Sequence, residues 1–147
     1  MIQSIAVPVA EALQQVLSVF HAVSQESLRA VRVENDLERV IFDFDEGALV
    51  VEGNPDDDSI EIRLVSQGEF AGIQAVAASH LDPWAPFIGK PFGWGWITVN
   101  QQGYCDGLLL SFGGIDPQLL LTVAASAFVV STIMRCNLQS PKRPAKP

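Results

Sequence analysis

From Trp94 to Gly107 the chain runs Trp-Gly-Trp-Ile-Thr-Val-Asn-Gln-Gln-Gly-Tyr-Cys-Asp-Gly, with two of its three tryptophans and its only tyrosine around one turn. Aromatic and β-branched residues alternate with others up to Asn100, Gly103 can supply the positive φ a tight turn needs, and an apolar run resumes at Leu108. The segment predicts a β-hairpin. Within one strand, Trp94, Trp96, Thr98 and Asn100 would share a face opposite Gly95, Ile97, Val99 and Gln101.

Three more blocks alternate in the same way. Val40, Phe42 and Phe44 interleave with Ile41, Asp43 and Asp45; Leu49 to Glu52 continues beyond Gly47; Ile60, Ile62 and Leu64 alternate with Glu61 and Arg63. With the strong turn Asn54-Pro55-Asp56-Asp57-Asp58 between them, these predict an antiparallel meander with one buried and one wet face. Leu28 to Val33 predicts a preceding strand. Ahead of it, Leu13, Val16, Leu17, Phe20 and Val23 recur at helical spacing, and residues 9–23 read as an amphipathic helix laid on the sheet. Phe42, Ile62, Leu13, Leu17 and Phe20 are expected in one core. Residues 70–78 suggest a short helix, and the prolines at 83, 86 and 91 an ordered loop.

The stretch from Pro117 to Met134 has no charged residue. Its β-branched residues favour a long central strand buried on both faces, ahead of a buried helix, and ahead of a membrane anchor, for which its length is at the lower limit. The expectation is a single α+β domain over residues 1–138 with a basic tail over 139–147. Its N-terminal helix would cover an antiparallel sheet of about six strands in two meanders.

Of 147 residues, 17 are Asp or Glu and nine Lys or Arg, a formal charge of −8; without Lys142, Arg143 and Lys146 the remainder carries −11. Such a body repels a phosphate backbone, which disfavours nucleic acid and favours a basic protein partner. Exposed turn carboxylates make Asp45, Glu46, Asp56, Asp57 and Asp58 the candidate partner-binding residues. No metal is expected on them, because a calcium loop begun at Asp43 puts Gly47 at a ligand position and one begun at Asn54 ends on Val65. Two cysteines outside any zinc spacing, and no basic segment ahead of an apolar one at the N-terminus, point to the cytoplasm.

The motifs of serine hydrolases, zinc proteases, P-loop enzymes and dinucleotide binders are missing from the sequence. Cys105 with His80 and Asp106 could make a nucleophile, base and orienter, but adjacent strand residues point to opposite faces, so a buried thiol is the simpler reading. No catalysis and no cofactor are expected. The alternative is a small enzyme or ligand binder with an aromatic pocket at Trp84, Lys90, Trp96 and Tyr104, where Lys90 would stack on an indole.

The run Trp84…Ile88-Gly89-Lys90, then Trp96…Asn100-Gln101-Gln102-Gly103-Tyr104-Cys105-Asp106-Gly107, then an apolar strand ending in Ala125-Ser126, resembles a small family of uncharacterised bacterial proteins, a domain of unknown function. The resemblance implies bacterial origin and an α+β fold, and it brings no catalytic residue. Small acidic proteins of this kind suggest an accessory or immunity-type role, that is, non-catalytic protein binding, with a homodimer left open.

Overall fold

The computed structural model describes residues 3–34, 36–54, 56, 58–66, 75–125 and 127–134. One helix, α1 (Gln3–Val23), precedes nine strands: β1 (Ala30–Glu34), β2 (Arg39–Asp43), β3 (Gly47–Gly53), β4 (Ile60–Ser66), β5 (Val76–Ala77), β6 (Phe92–Val99), β7 (Cys105–Phe112), β8 (Leu119–Ala124) and β9 (Ala127–Thr132). The two meanders are present, but they form two sheets instead of one. The first has the order β4-β3-β2-β1-β5 and the second β6-β7-β8-β9, with every pairing antiparallel.

The inner faces of both sheets share one core. Val31, Val40, Phe42, Leu49, Val51 and Ile62 come from the first sheet, and Phe92, Leu108, Leu110, Phe112, Leu119 and Leu121 from the second. Phe112 is the aromatic centre, with its ring centroid 5.5 Å from Phe87, 5.7 Å from Phe92 and 6.2 Å from Phe42. The chain leaving α1 stitches the two sheets together: Leu28 N–H donates to the Lys90 carbonyl at 2.9 Å, and Phe92 N–H to the Glu26 carbonyl at 2.8 Å.

The helix begins six residues ahead of the expected start, and its buried face also differs from expectation. At about 100° per residue, Val16, Val19, Phe20 and Val23 fall within an arc of about 100°, and these four are buried. Leu13 and Leu17 lie beyond the edge of that arc and are 38% and 50% exposed. They therefore do not join Phe42 and Ile62 in the core. The arc is selected by Gly95, where an added Cβ would lie 2.5 Å from two ring carbons of Phe20: only a glycine lets α1 approach β6 this closely.

The outer face of the first sheet is not simply wet. Ile41, Ala48, Val50 and Val65 form a second buried cluster there, with Ala75 packed against it. Ion pairs stand around this cluster. Arg32 grips Asp43 through two bonds of 2.7 and 2.8 Å, and Arg39 bridges Glu34 and Glu52, at 2.8 and 3.0 Å.

The run 117–134 folds as the hairpin β8–β9, turning at Ala125, instead of one central strand. Leu119 and Leu121 are buried, whereas Val129 on the last strand of the sheet is 52% exposed. Among the described residues no helix is long and apolar enough to cross a membrane. Of the helix expected at 70–78, residues 70–74 lie outside the described residues and Val76–Ala77 form β5 against β1.

Candidate functional site: a groove beside the helix

Trp94 is placed by two glycines. Gly93 occupies a register shift between Phe92 and Trp94, and a Cβ there would collide with the Gly114 carbonyl; Gly95 admits Phe20. Ile97 and Gly95 pair with Leu108 and Leu110 of the core face, so Trp96, paired with Leu109, projects from the outer face of the second sheet. Trp94 is 51% exposed and lines a groove of about 430 Å³ with Gln14, Leu17, Ser18, Phe20, His21 and Ser24. That volume is in the range of ligand sites, roughly 300–1,000 Å³. Its walls combine half-exposed Leu17 and Trp94 and buried Phe20 with polar side chains, none of them an acid, Lys or Arg.

The groove has an acidic end. Two residues past Ser24, Glu26 accepts a hydrogen bond from the Glu46 N–H through Oε1 at 3.4 Å, which brings the β2–β3 turn beside the C-terminus of α1. Asp45 of that turn pairs with Arg29, the residue ahead of β1, and the Arg29 hydrogen bond holds the exposed Asp45 carboxyl below the usual aspartate range. Carbonyls at the helix C-terminus add negative potential at the same end.

The described carboxylates among the five candidates stand in two turns. Asp45 and Glu46 lie in the β2–β3 turn, and Asp56 and Asp58 in the β3–β4 turn; Asp57 lies outside the described residues. Consecutive meander turns sit at opposite ends of the shared strand, so the seven residues of β3 separate them by about 20 Å. Asp56 N–H donates to Asn54 Oδ1 at 2.9 Å, as an Asx turn requires. Among the described residues, no group of three His, Cys, Asp or Glu is placed to hold a metal ion.

The four aromatic-pocket candidates are likewise dispersed. Trp84 is buried in the core with its ring edge-on to Phe42 at 5.8 Å, while Trp96 projects from the opposite side of the second sheet. Tyr104 is exposed in the β6–β7 turn, where Asn100 Oδ1 accepts the backbone N–H of Gln102 and of Tyr104. Lys90 instead lines a depression of about 380 Å³ with Phe112, Gly113, Gly114, Ile115, Asp116 and Gln118.

Cys105, His80 and Asp106 make no triad. Asp106 accepts a hydrogen bond from Thr98 Oγ1 at 2.8 Å, His80 is exposed in the turn after β5, and Cys105 Sγ is 3.7 Å from the Gly107 carbonyl. Burial pushes the Cys105 thiol above its ordinary range, which favours the unreactive protonated form. The groove itself escaped the sequence reading, because a tryptophan in an alternating strand is by default a core residue. The one available signal was Gly-Trp-Gly, which marks close approaches on both sides of Trp94.

No curated protein and no solved structure matches the chain. A family model matches residues 10–137, which includes every wall of the groove and both acidic turns, and the chain belongs to this family of unknown function, DUF6334.

Proposed function

We propose that the protein is a non-catalytic protein-binding module for a basic partner, recognised at the acidic end of the α1–β6 groove. The observation that carries this reading is the Glu26–Glu46 hydrogen bond, two residues beyond Ser24 in the wall of a groove that half-exposed Leu17 and Trp94 also line. Aromatic anchors beside complementary charge are what protein interfaces use for affinity and for steering respectively. An accessory or immunity-type role is its concrete form. The acidic turn at Asp56 and Asp58 lies at the far end of β3 and contributes only long-range attraction.

Titration of a lysine-rich peptide by fluorescence anisotropy tests the charge reading. Affinity is expected to fall as ionic strength rises, because exposed charges are screened beyond about 10 Å at 0.1 M. Glu46→Lys is expected to weaken binding more than Asp56→Lys with Asp58→Lys. Equal effects of the two sets, or binding insensitive to salt, would remove the assignment.

A further inference from the structure

The walls of the groove specify more than charge. On α1, Leu13 and Leu17 are one helical turn apart and both exposed beside buried Phe20; across the groove stands Trp94. From Gln14 to Ser24 the helical wall runs about 15 Å, or nearly three turns. None of the seven lining residues is an acid, Lys or Arg, and His21 is the one titratable side chain among them. A partner's charged side chain would be desolvated there without a counter-ion, whereas apolar side chains would cover Leu17 and Trp94. Charge stands beyond Ser24, where Glu26 and Glu46 lie beside the Arg29–Asp45 ion pair, three carboxylates against one guanidinium.

Resting on the protein-binding reading above, we infer that the groove receives an amphipathic cationic helix of the partner protein. Its apolar residues, spaced i, i+3 or i+4, enter between Leu17 and Trp94, and a Lys or Arg beyond them meets Glu26 and Glu46. Charge complementarity selects this occupant. A second copy of the chain would bring another −8 body to a groove whose open end is already acidic.

Three peptides of about 18 residues, long enough to become helical on binding, separate the components: amphipathic Leu/Lys, amphipathic Leu/Glu, and Lys/Ser without an apolar face. Binding is followed by tryptophan emission of the protein, since none of the peptides contains Trp, and by calorimetry. Leu/Lys is expected to bind, Leu/Glu to bind at least tenfold more weakly, and Leu17→Gln or Trp94→Gln to weaken Leu/Lys by roughly tenfold or more. Both substitutions are at half-exposed positions, and an unchanged melting temperature verifies that they leave the fold intact.

Should Lys/Ser bind as tightly as Leu/Lys, with both groove variants within twofold of wild type, the groove inference fails while the acidic-end reading stands. Equal binding of Leu/Glu and Leu/Lys would overturn the basic-partner reading and the inference with it. Failure of Leu/Lys to bind, or a dimer in sedimentation equilibrium that Leu17→Gln dissociates, would also overturn the inference, the second by giving the groove to another copy.

Discussion

Gly95→Ala tests the contact that sets the position of α1, and with it the groove. Two opposing effects act at this site. Glycine in a strand interior is destabilising by about 0.5–1 kcal/mol relative to alanine, so propensity alone predicts that the substitution stabilises. Sterics predict the reverse. The new Cβ would lie 2.5 Å from Cε2 and Cζ of Phe20 and 2.8 Å from Cδ2, about 1 Å inside ordinary contact. The ring has little room to yield, because Phe20 is 6% exposed and its centroid is 5.7 Å from that of Phe92, which is itself packed on Phe112. Overpacking of this kind costs about 1–3 kcal/mol, so a net loss of about 1–2 kcal/mol is expected. For a domain near this size that is a fall of roughly 2–8 °C in melting temperature.

Urea unfolding of wild type, Gly95→Ala, Phe20→Leu and the double variant forms a thermodynamic cycle. Removing the ring relieves the collision, so the double variant should be more stable than additivity predicts, by about 1 kcal/mol. A Gly95→Ala protein as stable as wild type, or strict additivity, would refute the helix-to-strand contact.

Cys105 should react slowly with alkylating agents at neutral pH in a Cys136→Ser background, and its rate should climb only at a pH above that needed by a free thiol, because burial raises its pKa; a rate like that of an unfolded control contradicts this. Leu121→Asp should abolish folding by placing an unpaired charge in the core, whereas Val123→Asp, at a half-buried site, should leave a cooperative transition; circular dichroism melts separate the two. Ala125 turns the β8–β9 hairpin at φ 54°, where a residue with a Cβ is strained. Ala125→Gly should therefore be neutral or stabilising by up to about 1 kcal/mol, against the usual cost of glycine, and a clear loss in melting temperature would show that the turn is not left-handed.

Much of the fold was legible because alternation is a local property. The blocks expected at Val40 to Phe44, Ile60 to Leu64 and Trp94 to Asn100 are strands, the first ending at Asp43 and the third at Val99, and the turn of the Trp94 hairpin does rest on Gly103, at φ 88°. The division into two sheets was not legible, since it depends on which faces meet across long sequence distances. The uncharged run at 117–134 concealed its hairpin because no Gly, Pro, Asn or Asp marks the turn, and the chain accepts strain at Ala125 instead. The acidic candidates were chosen as exposed turn carboxylates, a local property that does not say how far apart the two turns lie. Meander geometry already implied their separation, since successive turns alternate between the ends of a sheet.

The Gly-Trp-Gly element shows how a fold can hold a large apolar side chain at its surface. Gly93 lets the Gly114 carbonyl close on one side of the strand, and Gly95 lets Phe20 close from α1. Each glycine forgoes about 0.5–1 kcal/mol of strand stability. Gly95 pairs with Leu110, and Gly93 falls at the register shift between Phe92 and Trp94. What the two close approaches do achieve is a fixed frame for the residue between them. Trp94, paired with Ser111 between these two close approaches, keeps half its surface in water and lines the groove together with Leu17. Substituting either glycine should thus disturb the groove through the position of Trp94, even where the protein still folds.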